Sequence, residues 1–412
     1  MSGHLILVHQ AFAAKDDPGG TRHFELGKRL VAGGTQFTVI ASDLGYLTGK
    51  RVTSQRRLMT ESYDDGVRIL RAYTYSSLHT NYPARVVSFL SFMMTSVLVG
   101  IRAGKPDVVM GTTPPIFQGV SAWVLAAAKR CPFLLEIRDL WPEFAIDIGL
   151  LRNPVLIRIA RWLESFLYAR ADYLLVNSPA YRDYLISRGI EAGKISLIPN
   201  GVDPAMFDPG SHAQDVRRRF GVQSKFAVTY AGAIGMANDL DVLVKAASLI
   251  VSRTDIQILV VGDGKERKRL EEEVTRLGLT NVTFTGAVPK SQMPEVLAAS
   301  DACVAILRNI RMFTTTYPNK VFDYMAAGRP TILAIDGVIR EVVESAGGGL
   351  FVQPGSSELL ANAITYLADH PQEAAAMGQN ARTYVVEHFN RDDHASQLMG
   401  LVTRIVSERT SW

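Results

Sequence analysis

Short apolar runs alternate with segments of helical period along nearly the whole chain. In the first half the runs are HLILVHQ from His4, QFTVIAS from Gln36, DVVMGTT from Asp107, FLLEIRD from Phe133, YLLVNS from Tyr173 and KISLIPN from Lys194. Between them lie stretches such as TRHFELGKRLVAGG and PVLIRIARWLESFLYARA. Continuous apolar runs this short mark strands buried on both faces, as in parallel sheets. Their alternation with helices predicts an open, doubly wound α/β sheet. One interruption, YDDGVRILRAYTY, reads as a turn plus an added strand.

The pattern then restarts. PNGVDPAMFDPGS, from Pro199, is rich in Pro, Gly and Asp and reads as a domain linker. After it come FAVTYAG, IQILVVGDG, VTFTG, ACVAIL, PTILAI and GLFVQPG, again separated by helical segments. The expected organisation is therefore two Rossmann-like domains, residues 1–203 and 204–390, with a final amphipathic helix, 391–412, crossing back to the first. Two such sheets in tandem leave a cleft between the C-terminal edges of their strands, where open α/β sheets bind ligands.

Composition narrows the class. The chain has 412 residues, is 47% hydrophobic and 20% charged, and carries a formal charge of +4. Two large cores can be buried, and the basic excess is too small and too scattered to predict nucleic-acid binding. Cys131 and Cys303 stand far apart, with neither disulfide nor metal-ligand spacing, which favours a reducing, cytoplasmic compartment. The opening MSGHLILVHQAF lacks a basic n-region and a full apolar core, so no signal peptide is expected. The most apolar stretch, Val86–Ile101, is flanked by Arg85 and Arg102. It falls short of the roughly 20 residues of a spanning helix. It reads as a core helix or as a face that docks on a membrane.

Candidate chemistry gathers at strand ends. Gly19 and Gly20 precede a helix that Thr21 can cap, an arrangement that lets an anion approach free amides; an ordinary glycine turn is the alternative. Arg138, Asp139, Trp141 and Glu143 follow FLLEI. Carboxylates at a strand's C-terminal end suit acid/base or acceptor contacts, unless Arg138 and Asp139 only staple the loop. In the second half, Gly232 and Gly235 lie in the loop after FAVTYA, and the DLD at Asp239–Asp241 reads as a helix cap rather than as metal ligands. Gly262 and Gly264 form a GxG without the third glycine of a dinucleotide fingerprint.

TTTYPNKVFDYMAAGRP, from Thr314, is the most decorated segment. A helix beginning near Asn319 puts Lys320 and Asp323 three apart on one face in its first turn. The helix start and Lys320 suit a phosphate, and Asp323 suits a vicinal diol such as a ribose. Together they suggest a nucleoside diphosphate; a solvated pair at a helix start is the alternative.

At this point SLIPNGVDPAMF, VVGDGKERKRLE, NVTFTGAVPKSQMPEVLAASDACVAIL and YPNKVFDYMAAGRPTILAI together resemble the retaining GT-B glycosyltransferases of family 4. GTRHFELGKRL, GTTPPI and EIRDLWPE are similar to a bacterial subgroup that extends lipid-linked surface polysaccharides, many of them N-acetyl-L-fucosamine transferases. The resemblance implies a donor nucleotide sugar held by the second domain, an acceptor held by the first, retention of configuration and no cofactor or metal. It matches Gly19 and Gly20 to the loop facing the donor diphosphate. Asp323 matches the ribose-binding carboxylate, and Phe284 and Gly286 the base-contact turn. Three positions depart from it. Thr315, beside Thr316, stands where the family has a sugar-binding Glu. Ala233 and Asn238 stand where it has diphosphate-binding Arg and Lys, leaving Lys320, then Arg308, as replacements. Arg138 stands where a His is common.

The expected activity is transfer of a sugar, from a UDP donor, to a polyprenyl-diphosphate-linked saccharide at the cytoplasmic face of the inner membrane. Lys320, Asp139 and Glu143 are the catalytic candidates. The alternatives are a GT-B transferase acting on a soluble acceptor, a GT-B epimerase, or a nucleotide-sugar-binding partner without activity.

Overall fold

The structure is a computed structural model that describes residues 3–14, 17, 20–45, 49–52, 57–76, 82–207 and 213–410. The chain forms two compact units: Met1–Pro199 with Arg391–Trp412, and Asn200–Asn390.

The first unit is built on eight strands: β1 (His4–Val8), β2 (Gln36–Ser42), β3 (Met59–Asp64), β4 (Val67–Ala72), β5 (Val108–Thr113), β6 (Phe133–Ile137), β7 (Tyr173–Val176) and β8 (Ile195–Leu197). They lie in the order β3-β4-β2-β1-β5-β6-β7-β8, parallel except for β3, which runs antiparallel at the edge. The interrupting segment thus supplies two strands where one was expected. Asp65 and Gly66 join them with φ of 44° and 80°, the left-handed pair of a tight hairpin turn.

Alternate residues of these strands face opposite ways. Leu5, Leu7, Val39 and Met110 bury against Phe24, Leu26 and Leu30 of the helix Arg22–Ala32 and against Leu398, Val402 and Ile405 of the helix Arg391–Thr410. The other face carries the helices Tyr82–Arg102, Phe117–Lys129 and Pro154–Arg170. Small residues set their approach: a Cβ on Gly100 would meet Leu125 and Ile40, and one on Gly111 would meet Ala122. Asn153 starts the last of these helices by accepting from the amides of Val155 (2.9 Å) and Leu156 (3.2 Å), with Pro154 at the first helical position.

The second unit has six parallel strands: β9 (Phe226–Ala231), β10 (Ile256–Val261), β11 (Val282–Gly286), β12 (Ala302–Ile306), β13 (Thr331–Ala334) and β14 (Gly349–Phe351). Their order is β11-β10-β9-β12-β13-β14. Val228, Tyr230, Ile258 and Val304 face one core. Ala227, Leu259, Cys303 and Leu333 face the other. The direction of chain progression reverses between β1 and β5 in the first sheet and between β9 and β12 in the second. Crevices at such reversals are the general ligand sites of this architecture.

Val86–Ile101 lies inside a longer helix, Tyr82–Arg102. Its Ala84–Arg102 part, with a mean hydropathy of 1.8, is long and apolar enough to cross a membrane by length and composition, and 28% of its most apolar window is buried in the protein. It packs on the Phe117–Lys129 helix and on β2 and β4.

Two glycines in helix interiors separate packing from propensity. Gly378, buried in the helix Pro371–His388, has no room for a Cβ because the Gly328 carbonyl oxygen occupies that place. Gly400, in the helix Arg391–Thr410, has nothing within 4 Å. Alanine in place of an exposed helical glycine gains about 1 kcal/mol, whereas overpacking costs about 1–3 kcal/mol. Urea denaturation should therefore show Gly400→Ala more stable than the parent and Gly378→Ala less stable. The same sign for both would refute the packing argument.

Candidate functional site

In the second unit the loops after β9 and β10 lie on each other. Gly232 N donates to Val261 O (2.9 Å), Ile234 N to Asp263 O (2.9 Å) and Glu266 N to Ile234 O (3.1 Å), continuing the sheet ladder past the strand ends. A Cβ on Gly262 would collide with the Gly232 carbonyl oxygen, and one on Gly264 with that of Ile234. The GxG is thus a packing device that seats one loop against another.

Behind the first loop stand two tyrosines. Tyr324 Oη accepts from Ala231 N (2.9 Å) and donates to Ala231 O (3.0 Å). Tyr230 Oη donates to Ala233 O (2.7 Å) and accepts from Lys320 Nζ (2.9 Å). The Lys320 ammonium lies 4.2 Å from the Tyr230 ring centre, and a Cβ on Gly232 would stand 3.0 Å from Nζ. Gly232 therefore leaves room for Lys320. Burial lowers the Lys320 ammonium to about 7. Lys320 forms no ion pair among the described residues.

The helix Asn319–Ala326 begins at Pro318, whose carbonyl accepts from Val321 N (3.1 Å). The amides of Asn319 and Lys320 stand outside the helical ladder. Asp323 opens the second turn rather than sharing the first with Lys320, because the helix starts no earlier than Asn319. Its Oδ2 accepts from Lys290 Nζ (2.6 Å), and Lys290 sits 5.5 Å from the Phe207 ring centre. Thr314, Thr315 and Thr316 turn their hydroxyl hydrogens back to the carbonyls of Arg311 (2.8 Å), Met312 (2.6 Å) and Phe313 (3.0 Å). These hydroxyls keep acceptor capacity but direct their protons into the 3-10 turn Arg311–Thr315.

The remaining second-unit candidates are spread around this loop. Gly235 is extended and precedes the turn Met236–Asn238. Arg308 is exposed, its amide donates to Ala237 O (2.9 Å), and its charge pulls against the burial that raises Asp239. Asp239 occupies the cap position with φ of 46° but its side chain makes no cap bond. Asp241 is held by Arg269 through two bonds of 2.8 and 2.7 Å. Phe284 packs half-buried against the core, and the Gly286 carbonyl accepts from Gly262 N (2.9 Å).

In the first unit the helix after β1 and the end of β6 meet over a buried charge. Glu136 is fully buried; burial opposes its ionisation, but His23, Arg22 and Arg138 hold it well below the usual carboxylate range. His23 Nε2 lies 2.6 Å from Glu136 Oε2, and Arg22 Nε lies 3.4 Å from Oε1. Arg138 Nη1 lies 3.5 Å from His23 Nδ1. An arginine hydrogen aimed at Nδ1 leaves that nitrogen as acceptor, so Nε2 carries the hydrogen given to Glu136. This agrees with burial lowering the His23 imidazolium. His9 stacks edge-on to His23 at 4.6 Å, and its two buried ring nitrogens have no hydrogen-bond partner among the described residues.

Asp139 follows. Burial raises its carboxyl to about 6 against the pull of Arg138. No ion pair joins Arg138 to Asp139; the loop is instead stapled by Glu143, whose two oxygens accept from Arg161 Nε (2.8 Å) and Nη2 (3.0 Å). Glu143 is thereby engaged structurally, and Asp139 is the carboxyl placed to exchange a proton near neutral pH. Gly20 is exposed, with open space where a Cβ would stand. Gly19 lies outside the described residues. Thr21 precedes the helix Arg22–Ala32 but bonds its hydroxyl to Glu25 instead of capping.

Residues 225–370 match the family model described as glycosyl transferases group 1, and residues 19–201 match the glycosyl transferase 4-like domain. The chain belongs to the group 1 glycosyltransferases. Its two sheets are those of the GT-B fold.

This glycosyltransferase is 23% identical over 252 residues to an alpha-D-kanosaminyltransferase of Streptomyces kanamyceticus; the match covers 60% of this chain and 64% of that protein. It is 23% identical over 291 residues to the putative colanic acid biosynthesis glycosyl transferase WcaI of Escherichia coli K12, covering 68% and 71%. The structure of Anabaena HepE in complex with UDP-glucose superposes with a TM-score of 0.72 over 100% of both chains at 19% identity.

Several groups in these two clusters escape a reading of motifs. Tyr230 and Tyr324 sit in apolar surroundings and look like core. Lys290 lies in a loop whose partner is known only once the chain folds. Glu136 had a signal: a carboxylate inside the run FLLEI needs a buried partner.

The raised Asp139 carboxyl has a consequence for stability. A carboxyl whose folded value lies above its unfolded one costs nothing while protonated in both states. Its penalty grows as pH rises from the unfolded value near 4 to the folded value of about 6, and persists above. Asp139→Asn should raise the melting temperature at pH 8 and leave it nearly unchanged at pH 4. A variant less stable than the parent at pH 8 would contradict the assigned environment.

Proposed function

We propose that this glycosyltransferase moves a sugar from a UDP-linked donor to a polyprenyl-diphosphate-linked saccharide in bacterial surface polysaccharide synthesis, with retention of configuration. The observation that carries the reading is Lys320: an ammonium without a carboxylate partner among the described residues, at a helix start and against Gly232. Such a place suits the diphosphate of a nucleotide sugar. The UDP-glucose in the HepE structure and the colanic acid pathway in the name of WcaI support the donor and the setting. The resemblance to fucosamine transferases favours an N-acetylated amino-deoxy sugar.

In this reading Lys320 and the amides of Asn319 and Lys320 meet the charge that grows on the leaving diphosphate. The bond from the anomeric carbon to the diphosphate oxygen breaks, and the acceptor oxygen bonds to that carbon from the same face. The acceptor proton passes to the departing diphosphate. Asp323, steadied by Lys290, holds the ribose, and the turn at Phe284 and Gly286 meets the base; the family resemblance assigns Gly19 and Gly20 to the diphosphate. Gly235, Thr315, Thr316 and Arg308 line the donor. Asp139 positions the acceptor or offsets positive charge on the sugar. No metal or cofactor takes part in these roles.

A basic and apolar face of the first unit supports a lipid-linked acceptor. Val87, Leu90, Met94, Leu98 and Ile101 form an exposed stripe on the helix Tyr82–Arg102, with Met94 67% exposed. On the same side of the sheet, Val155, Leu156, Ile159 and Trp162 are exposed on the helix Pro154–Arg170, between Arg152, Arg158, Arg161 and Arg170. Apolar stripes flanked by arginines are of the kind that suits an anionic leaflet, and they support the reading of a cytoplasmic protein working at the inner membrane.

Transfer is measured with UDP-sugars and a polyprenyl-diphosphate saccharide. Lys320→Ala should lower turnover about 10²–10³-fold; unimpaired turnover would remove Lys320 as the diphosphate contact. In flotation with anionic vesicles, Met94→Glu and Trp162→Glu should each weaken binding. A parent protein that stays with the soluble fraction would favour a soluble acceptor.

A further inference from the structure

A half-buried ammonium ordinarily finds a carboxylate, and among the described residues Lys320 has none. From β9, Tyr230 offers its hydroxyl oxygen at 2.9 Å. That hydroxyl spends its own hydrogen on Ala233 O, so it presents a lone pair to Lys320. From the helix of Lys320 itself, Tyr324 is turned to the Ala231 backbone and Asp323 is paired with Lys290. Across the loop, Arg308 and Asp239 act on each other. No charged group among these meets the amine.

We propose that Lys320 and Tyr230 act as one unit: Tyr230 positions the amine, and arrival of the donor diphosphate draws a proton from solvent on to it, so that donor binding is linked to proton uptake. This rests on the donor reading above and adds to it a positioning residue and a proton. Burial without a counter-charge lowers the free amine to about 7. A diphosphate beside it favours the ammonium and raises that value. Affinity is then level below the free value and falls as pH rises above it, by about tenfold per pH unit.

The test uses the full chain and UDP-glucose, whose diphosphate does not titrate in this range. Calorimetry from pH 6 to 9, in two buffers of different ionisation enthalpy, reads affinity and proton uptake together. Expected is uptake of about 0.9 proton at pH 8 and a roughly tenfold loss of affinity between pH 8 and 9. In Tyr230→Phe the amine loses its acceptor, so the fall should begin at lower pH. Lys320→Arg, charged throughout, should bind without it. Tyr324→Phe cuts bonds to the same loop without touching the amine; it should weaken binding with the onset of the fall unmoved. Binding without proton uptake, or an unmoved onset in Tyr230→Phe, overturns the inference and leaves the donor reading standing. Failure of UDP-glucose and UDP-N-acetylglucosamine alike to bind overturns the donor reading and the linkage with it.

Discussion

A carboxylate sealed inside a sheet has to be met by the protein itself, and the first unit is arranged around one. Glu136 lies in the middle of an apolar strand, with no access to solvent. Removing one partner of such a buried pair costs about 3–5 kcal/mol, because the remaining charge is left alone. Arg22 meets it from the helix Arg22–Ala32, and the same guanidinium donates to Ile198 O (2.9 Å) and Pro199 O (2.7 Å). One charge thus ties together β6, the helix after β1 and the point where the chain leaves the unit. His23 and Arg138 extend the network to the loop that carries Asp139.

The second unit treats charge in the opposite way. Apart from Lys290 with Asp323 at the site, most of its ion pairs stand on the periphery, such as Arg269 with Asp241 and Arg253 with Asp255 and Asp369. At the strand ends it places backbone against backbone, made feasible by Gly232, Gly262 and Gly264. The lysine there is met by a phenol. A neutral oxygen steadies the amine without neutralising it, which leaves its electrostatic attraction available to an incoming anion. The two units therefore share an architecture but differ in how their edges are polarised: one closed on itself, one awaiting a counter-ion.

Much of this was legible in the chain. Apolar runs such as IQILVVG and FLLEI became parallel strands, since both faces of each are covered and periodicity alone reports that. Lys320 at a helix start was legible because Pro318 and the Ala-Ala-Gly that follows bracket a short helix. The ion pair of Glu143 was not legible, since its partner Arg161 is eighteen positions away and belongs to another helix. The capping roles given to Thr21 and Asp239 failed for a related reason: a residue type names a capacity, and competition from Glu25 or a left-handed backbone decides whether it is used. The threonines at 314–316 show the same limit. A run of hydroxyls in the sequence does not say where their protons go, and a 3-10 turn offers each of them a carbonyl three residues back.

The second unit is an insertion in the chain of the first, because Arg391–Trp412 returns to the unit that ends at Pro199. Its entry and exit are neighbours: Val202 N donates to Phe389 O (3.0 Å), and Val202 pairs with Asn390 in a parallel bridge. The segment entering the second unit and the segment leaving it are thus fastened to each other inside that unit, so neither end can fray without breaking the bridge that holds the other.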